Sequence, residues 1–157
     1  NYYKLKTNPK PVSWNKRRIK KIAMYITRRE RFSSAHKLIN NDLGEKENKV
    51  LFSKCNKLHG HNYELFVTVM GKVNKNSGFV MDLADLKKII NEKVIKKLDH
   101  NFINEVDFMK GEIASTENLC LSIWKELEIP IQKAGSKLYK IKITETENNS
   151  VEYLGDN

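Results

Sequence analysis

Cysteine is scarce in this chain: Cys55 and Cys120 are its only two in 157 residues. Two thiols cannot make the multi-disulfide framework of a small secreted domain, and a domain of this length can bury a core without one. Cys120 falls in an apolar helical pattern and is expected to be a buried, inert thiol. A reducing, cytoplasmic setting fits both cysteines. Long apolar runs are also missing. The longest, such as Leu65-Phe66-Val67, are strand-length, far short of the roughly 18 residues a membrane span needs. There is no secretory h-region, internal repeat or low-complexity block, so the expectation is one soluble domain.

Arginine is lacking after position 31 and acid is lacking before position 30. The net charge of +10 therefore sits at one end. Residues 1–31 hold 11 Lys/Arg against the single acid Glu30, and the remaining residues hold 18 lysines and 18 acids. Residues 1–21, with Pro9, Pro11 and scattered asparagine, follow neither structural period and read as a flexible basic arm. We set the boundaries as an extension over 1–23 and a domain over 24–157. Such an arm could hold nucleic acid or an acidic membrane by salt-dependent contacts, but a solvated tail explains it as well. The charge of residues 1–29 suits a transit peptide, whereas their few serines and lack of an amphipathic face do not.

Histidine is rare too, and all four examples fall in short motifs: His36 in Phe-Ser-Ser-Ala-His, His59 and His61 in His-Gly-His-Asn-Tyr, and His100 in Leu-Asp-His. A lone histidine is ordinarily a surface or hydrogen-bonded residue. Residues two apart on a strand, however, face the same side, so His59 and His61 can present both imidazoles to one point. The intervening glycine is expected to leave room for an ion. His36 would complete a three-histidine set, which in zinc enzymes keeps a fourth position open for water or substrate. Cys55 and the Asp99-His100 pair add the residue types of a proton relay.

Residues 24–35 read as a strand closed by His36, and 42–52 as a short helix or loop, with Cys55 in a loop beyond it. Alternation of Tyr63, Leu65, Val67 and Val69 predicts a long strand from His59 to near Gly71, then a turn over 74–78. Asp82 can cap a helix whose stripe is Leu83, Leu86, Ile89, Ile90, Val94 and Leu98, with lysines on the solvated side. A second helix starts at Ser115-Thr116-Glu117-Asn118 and carries Leu119, Ile123, core Trp124 and Leu127, with Pro130 beyond its end. Residues 138–144 alternate, Asn148-Asn149 turns, and 151–154 returns as an edge strand. The order ββααββ predicts an α+β fold, a four-stranded antiparallel sheet with two helices on one face. Its other face needs cover, so a homo-oligomer with sites at subunit borders is expected.

These motifs, with Phe-Ser-Lys-Cys-Asn, Asp-Leu-Ala-Asp-Leu-Lys-Lys, Lys-Leu-Asp-His-Asn, Ser-Thr-Glu-Asn and Tyr-Lys-Ile-Lys-Ile-Thr-Glu-Thr-Glu-Asn-Asn, make the chain from about Thr27 to Gly155 resemble the 6-pyruvoyl-tetrahydropterin synthase family. The resemblance implies a tunnelling fold, with ββααββ subunits forming a trimeric barrel and two trimers stacked as a hexamer. It implies conversion of 7,8-dihydroneopterin triphosphate to 6-pyruvoyl-tetrahydropterin with loss of triphosphate, toward tetrahydrobiopterin. His36, His59 and His61 resemble the ligands of one Zn(2+) per subunit, with Mg(2+) accompanying the triphosphate. Cys55 resembles the general base, Asp99 and His100 its relay partners, and Glu145 the pterin anchor. Ser115, Thr116 and Glu117 resemble the segment that helps to hold the pterin, although a simple helix cap explains the same residues.

One departure concerns the product. In the animal enzymes a longer Asn- and Gly-containing stretch separates cysteine from His-Gly-His, whereas here only Asn56, Lys57 and Leu58 intervene. That short spacing is shared with the 6-carboxy-tetrahydropterin synthase of queuosine biosynthesis, which is the alternative enzyme reading. A relative that makes 6-hydroxymethyl-dihydropterin has glutamate in place of the cysteine, so Cys55 argues against that branch. The remaining alternative is a non-catalytic zinc protein whose basic arm binds nucleic acid.

Overall fold

A computed structural model describes residues 23–155. The expectation of a flexible arm over residues 1–21 lies outside the described residues. Four strands form one antiparallel sheet in the order β1-β2-β3-β4: β1 (Met24–His36), β2 (His59–Gly71), β3 (Lys137–Thr146) and β4 (Asn149–Tyr153). Between β1 and β2 lie α1 (Glu45–Phe52) and a 3-10 turn (Ser53–Asn56), so Cys55 sits in a hydrogen-bonded turn rather than an open loop. Between β2 and β3 come α2 (Leu83–Ile90), a π turn (Asn91–Ile95), α3 (Lys96–Leu98) and α4 (Thr116–Lys133). The α+β sheet with its helices on one face is as expected, and α1 forms where a short helix or loop was expected over 42–52.

Period-2 alternation turns Tyr63, Leu65, Val67, Val69, Ile141 and Ile143 toward the helices, and all six are buried. They meet Leu86, Ile90, Val94 and Leu98 from the first helical run and Leu119, Ile123, Leu127 and Ile131 from α4. Each such side chain contributes roughly 1.5–3 kcal/mol of burial free energy. The first run buries a residue every fourth position. An ideal α-helix turns such positions by about 40° per step away from a fixed face. The wider π turn between α2 and α3 takes up that drift and keeps Val94 and Leu98 on the core. Leu83 was expected in the same stripe, but it lies in the first turn and is 48% exposed.

Pro130 corrects a second expectation, because it lies inside α4 rather than beyond it. Proline removes one backbone donor without unwinding the last turn. Leu127 and Ile131, both fully buried, hold that turn on the sheet, and Gly135 at φ 88° ends it. Trp124 is core, edge-on to Tyr153 at 5.1 Å between ring centroids. Cys120 is buried as expected, and burial pushes its thiol up to about 12. The hairpin turn falls at Glu147-Asn148, one residue earlier than the expected Asn148-Asn149.

Two sheet edges remain. Among the described residues β4 pairs only with β3. Among the described residues the outer edge of β1 is covered only at its end, where Ala35 bridges Phe102 and the His100 N–H donates to Ser33 O at 2.7 Å. No helix among the described residues is long and apolar enough to cross a membrane.

Candidate metal centre

Strand register brings the three histidines together. His36, the last residue of β1, is the cross-strand partner of His59, the first of β2, and alternation puts His61 on the same face. Their ring centroids lie 4.5 Å (His36–His59), 5.2 Å (His36–His61) and 5.1 Å (His59–His61) apart. One ring nitrogen from each lies within 4.8 Å of the others. Gly60 does not make the room that the sequence suggested, since its missing side chain would point to the opposite face. A Cβ there would stand 3.1 Å from Ser34 O, so the glycine serves the close approach of β1 and β2.

Backbone carbonyls orient two of the rings. His36 Nδ1 lies 2.8 Å from Ala114 O and His59 Nδ1 2.7 Å from Lys57 O. A carbonyl can only accept, so each Nδ1 carries a proton and, in the neutral ring, leaves the Nε2 lone pair free, the outer-shell arrangement of metal-binding histidines. Burial is the main force holding the His36 imidazole below its usual value; the Ala114 bond opposes it and the neighbouring imidazole of His59 assists. The neutral form, which ligates metal, is therefore favoured at this ring. Three imidazole donors around one point suit a divalent ion such as zinc.

Glu145 is reached by the same alternation that buries Ile141 and Ile143. Read alone, a glutamate on an alternating strand suggests a surface residue, yet its Oε1 lies 3.8 Å from His36 Nε2 and 3.9 Å from His61 Nε2. Thr116 Oγ1, at the start of α4, donates to that oxygen at 2.5 Å. Tyr63, which sequence reasoning assigned only to the strand pattern, stands behind them. It is 1% exposed, stacks on Phe32 and has its hydroxyl 3.4 Å from His36 Nε2. Burial, reinforced by the Glu145 charge, pushes its phenol well above the usual range, so it remains protonated. The signal that could have found it is the spacing 59, 61, 63 on one strand face.

A pocket of about 420 Å³ opens beside the centre, lined by His36, His59, Cys55, Ser115, Thr116, Glu117 and Glu145 together with the β3–β4 hairpin. Ser115 caps α4, accepting the Asn118 N–H at 3.2 Å, and it also lines the pocket. Among the described residues lining this pocket there is no lysine or arginine. Asp99 and His100 are not part of its lining. They sit on the outer edge of β1, where Asp99 Oδ1 accepts the Ser33 N–H at 2.9 Å and Asp99 Oδ2 lies 3.0 Å from His100 Nδ1. That backbone bond is the main reason the Asp99 carboxyl is held below its usual range. His100, at φ 58°, turns its ring to solvent with 83% of the side chain exposed, and it lines a second cavity with His61, Ser33 and Asn62.

The comparisons with known proteins agree with this geometry. A model of the family described as 6-pyruvoyl tetrahydropterin synthase matches residues 25–156. The 6-pyruvoyl tetrahydrobiopterin synthase of Dictyostelium discoideum is 47% identical over 132 residues, covering 83% of this chain and 96% of that protein. The human protein of the same name is 41% identical over 136 residues, covering 83% and 91%. The solved 6-pyruvoyl tetrahydropterin synthase of Caenorhabditis elegans superposes with a TM-score of 0.80 at 36% identity, covering 86% of this chain and 97% of that one. A sheet that converges three imidazoles at its β1–β2 end, within a chain this similar along most of its length, belongs to the 6-pyruvoyl tetrahydropterin synthase family.

Proposed function

We propose that this protein is a zinc-dependent lyase that converts 7,8-dihydroneopterin triphosphate to 6-pyruvoyl-tetrahydropterin with elimination of triphosphate, in tetrahydrobiopterin synthesis. The observation that carries this reading is the convergence of His36, His59 and His61 beside a pocket that also holds Cys55 and two carboxylates. One zinc per subunit, bound by those imidazoles, would supply Lewis acidity that lowers the pKa of a substrate hydroxyl. Magnesium accompanies the triphosphate. A free Cys55 thiol fits a reducing, cytoplasmic enzyme.

The residues divide the remaining work. Cys55, in the pocket wall, acts as the base that moves protons on the substrate side chain. The pterin's 2-amino group and ring N–H need carboxylate oxygens as acceptors. Glu145 has Oε1 committed to Thr116 and offers Oε2, while Glu117 is solvent-exposed in the pocket lining and offers both oxygens. We assign Glu145 as the pterin anchor, with Glu117, Ser115 and Thr116 helping to hold the ring.

Asp99 and His100 serve as the relay from a neighbouring subunit. The Cys55 pocket is bordered by β4 residues, the dyad lies on the β1 edge, and those are the two sheet edges. Pairing β1 of one subunit with β4 of the next carries the exposed His100 toward the next subunit's pocket and closes the sheet into a barrel. A trimer, doubled to a hexamer, is the expected assembly. The missing cations for a triphosphate would likewise come from outside this lining.

The test is the product profile of zinc-loaded protein incubated anaerobically with dihydroneopterin triphosphate and magnesium. The pyruvoyl pterin with free triphosphate is expected. A carboxylated pterin with acetaldehyde would move the enzyme to the 6-carboxy branch, the second reading that the three-residue link from Cys55 to His59 favours. A lack of any turnover would refute the enzyme reading.

A further inference from the structure

The 3-10 turn that carries Cys55 has little apolar anchorage. None of Ser53–Asn56 is buried, and the flanking Val50, Leu51 and Leu58 are 85%, 59% and 66% exposed. Phe52, immediately before the turn, is half-buried, so hydrophobic packing alone does not fix where the thiol stands. Hydrogen bonds to the segment following β1 do. Leu38 N–H donates to Cys55 O at 2.8 Å, and Asn56 Nδ2 donates back to Leu38 O at 2.8 Å. The segment is itself held from elsewhere, since Asn104 accepts the Lys37 N–H at 3.0 Å and donates to Lys37 O at 2.9 Å. Leu38 is two residues from His36, so the two-bond clip ties the thiol-bearing turn to the strand end that presents a metal ligand.

We propose that Asn56 is a positioning residue, whose amide clip on Leu38 holds the Cys55 thiol in register with the histidine centre. The proposal rests on Cys55 being the base. The Asn56 amide supplies the donor that Leu38 O accepts, whereas aspartate would set a carboxylate against that carbonyl. Glutamine keeps the donor on a longer arm.

The experiment compares full-length, metal-loaded Asn56→Ala, Asn56→Asp and Asn56→Gln with the parent and with Cys55→Ala. It reads metal per chain, KM, kcat and the rate of Cys55 alkylation by iodoacetamide. Cys120, fully buried, stays silent as an internal control. In the alanine and aspartate variants metal and KM stay near the parent values, kcat falls about 10- to 100-fold as misplacement by an ångström or so predicts, and alkylation speeds up as the turn loosens. Glutamine recovers part of both. Parent-like kcat and alkylation in the alanine and aspartate variants would overturn the proposal. Should the alanine variant fail to fold, the glutamine and aspartate variants decide, because equal values for those two would overturn it as well. Full turnover by Cys55→Ala would instead sink the base assignment, with the alkylation rates still judging the clip.

Discussion

Thr116→Val removes one hydroxyl from the centre while leaving a side chain of similar shape. Thr116 is buried, and its Oγ1 donates to Glu145 Oε1 at 2.5 Å. A hydrogen bond to a charged acceptor contributes about 1.5–3 kcal/mol, and valine leaves the carboxylate oxygen without that donor. Glu145 Oε1 is also 3.8 and 3.9 Å from two histidine Nε2 atoms, so a released carboxylate can swing toward them and away from the substrate. If the bond acts only on the reacting arrangement, its loss lowers kcat/KM by about 10- to 100-fold. Metal content should be retained, because the three imidazoles are untouched. Thr116→Ser keeps the donor and should lie within a few fold of the parent. The assay is steady-state turnover of dihydroneopterin triphosphate alongside metal analysis. Valine-variant activity within twofold of the parent would refute the idea that Thr116 holds Glu145 in its working position.

The proposed sharing of sites predicts complementation. Cys55→Ala and His100→Ala proteins, each inactive, should regain about a quarter of parent activity when their subunits are randomly reassembled one to one; continued inactivity of verified hybrids would place both residues in one subunit's site. Glu145→Gln and Glu117→Gln should each mainly raise KM, with the larger effect at Glu145, and steady-state kinetics showing an unchanged KM for Glu145→Gln would remove it as the pterin anchor. The depressed Asp99 carboxyl contributes stability that is present above its unfolded value near 3.8 and is lost as pH falls through its lower folded value. Asp99→Asn should therefore flatten the acid limb of a stability-versus-pH curve, and an unchanged limb from denaturant titrations would show that the Ser33 bond does not matter there.

The three-histidine cluster was legible because it depends on local periodicity: His59 and His61 share a strand face whatever the fold, and His36 closes the preceding strand. Pairing then fixed what spacing alone could not, setting His36 directly opposite His59. Glu145 was partly legible, since 141, 143 and 145 share a face, but a charged residue at the end of a buried row reads as exposed until Thr116 and the histidines surround it. The Pro130 expectation failed because the proline rule is local, while Leu127 and Ile131 hold the final turn through tertiary burial. Asn56 and Asn104 were invisible in function because their partners, Leu38 and Lys37, are 18 and 67 residues away. Asp99 and His100 could be recognised as a pair, yet one chain does not bring them into the Cys55 pocket.

The most direct test is metal stoichiometry together with turnover in the parent and in His59→Ala. One zinc per chain and pyruvoyl-pterin formation are expected in the parent, with both lost in the variant. A His59→Ala protein that still held one metal per chain, or that turned over substrate without it, would contradict the three-histidine centre.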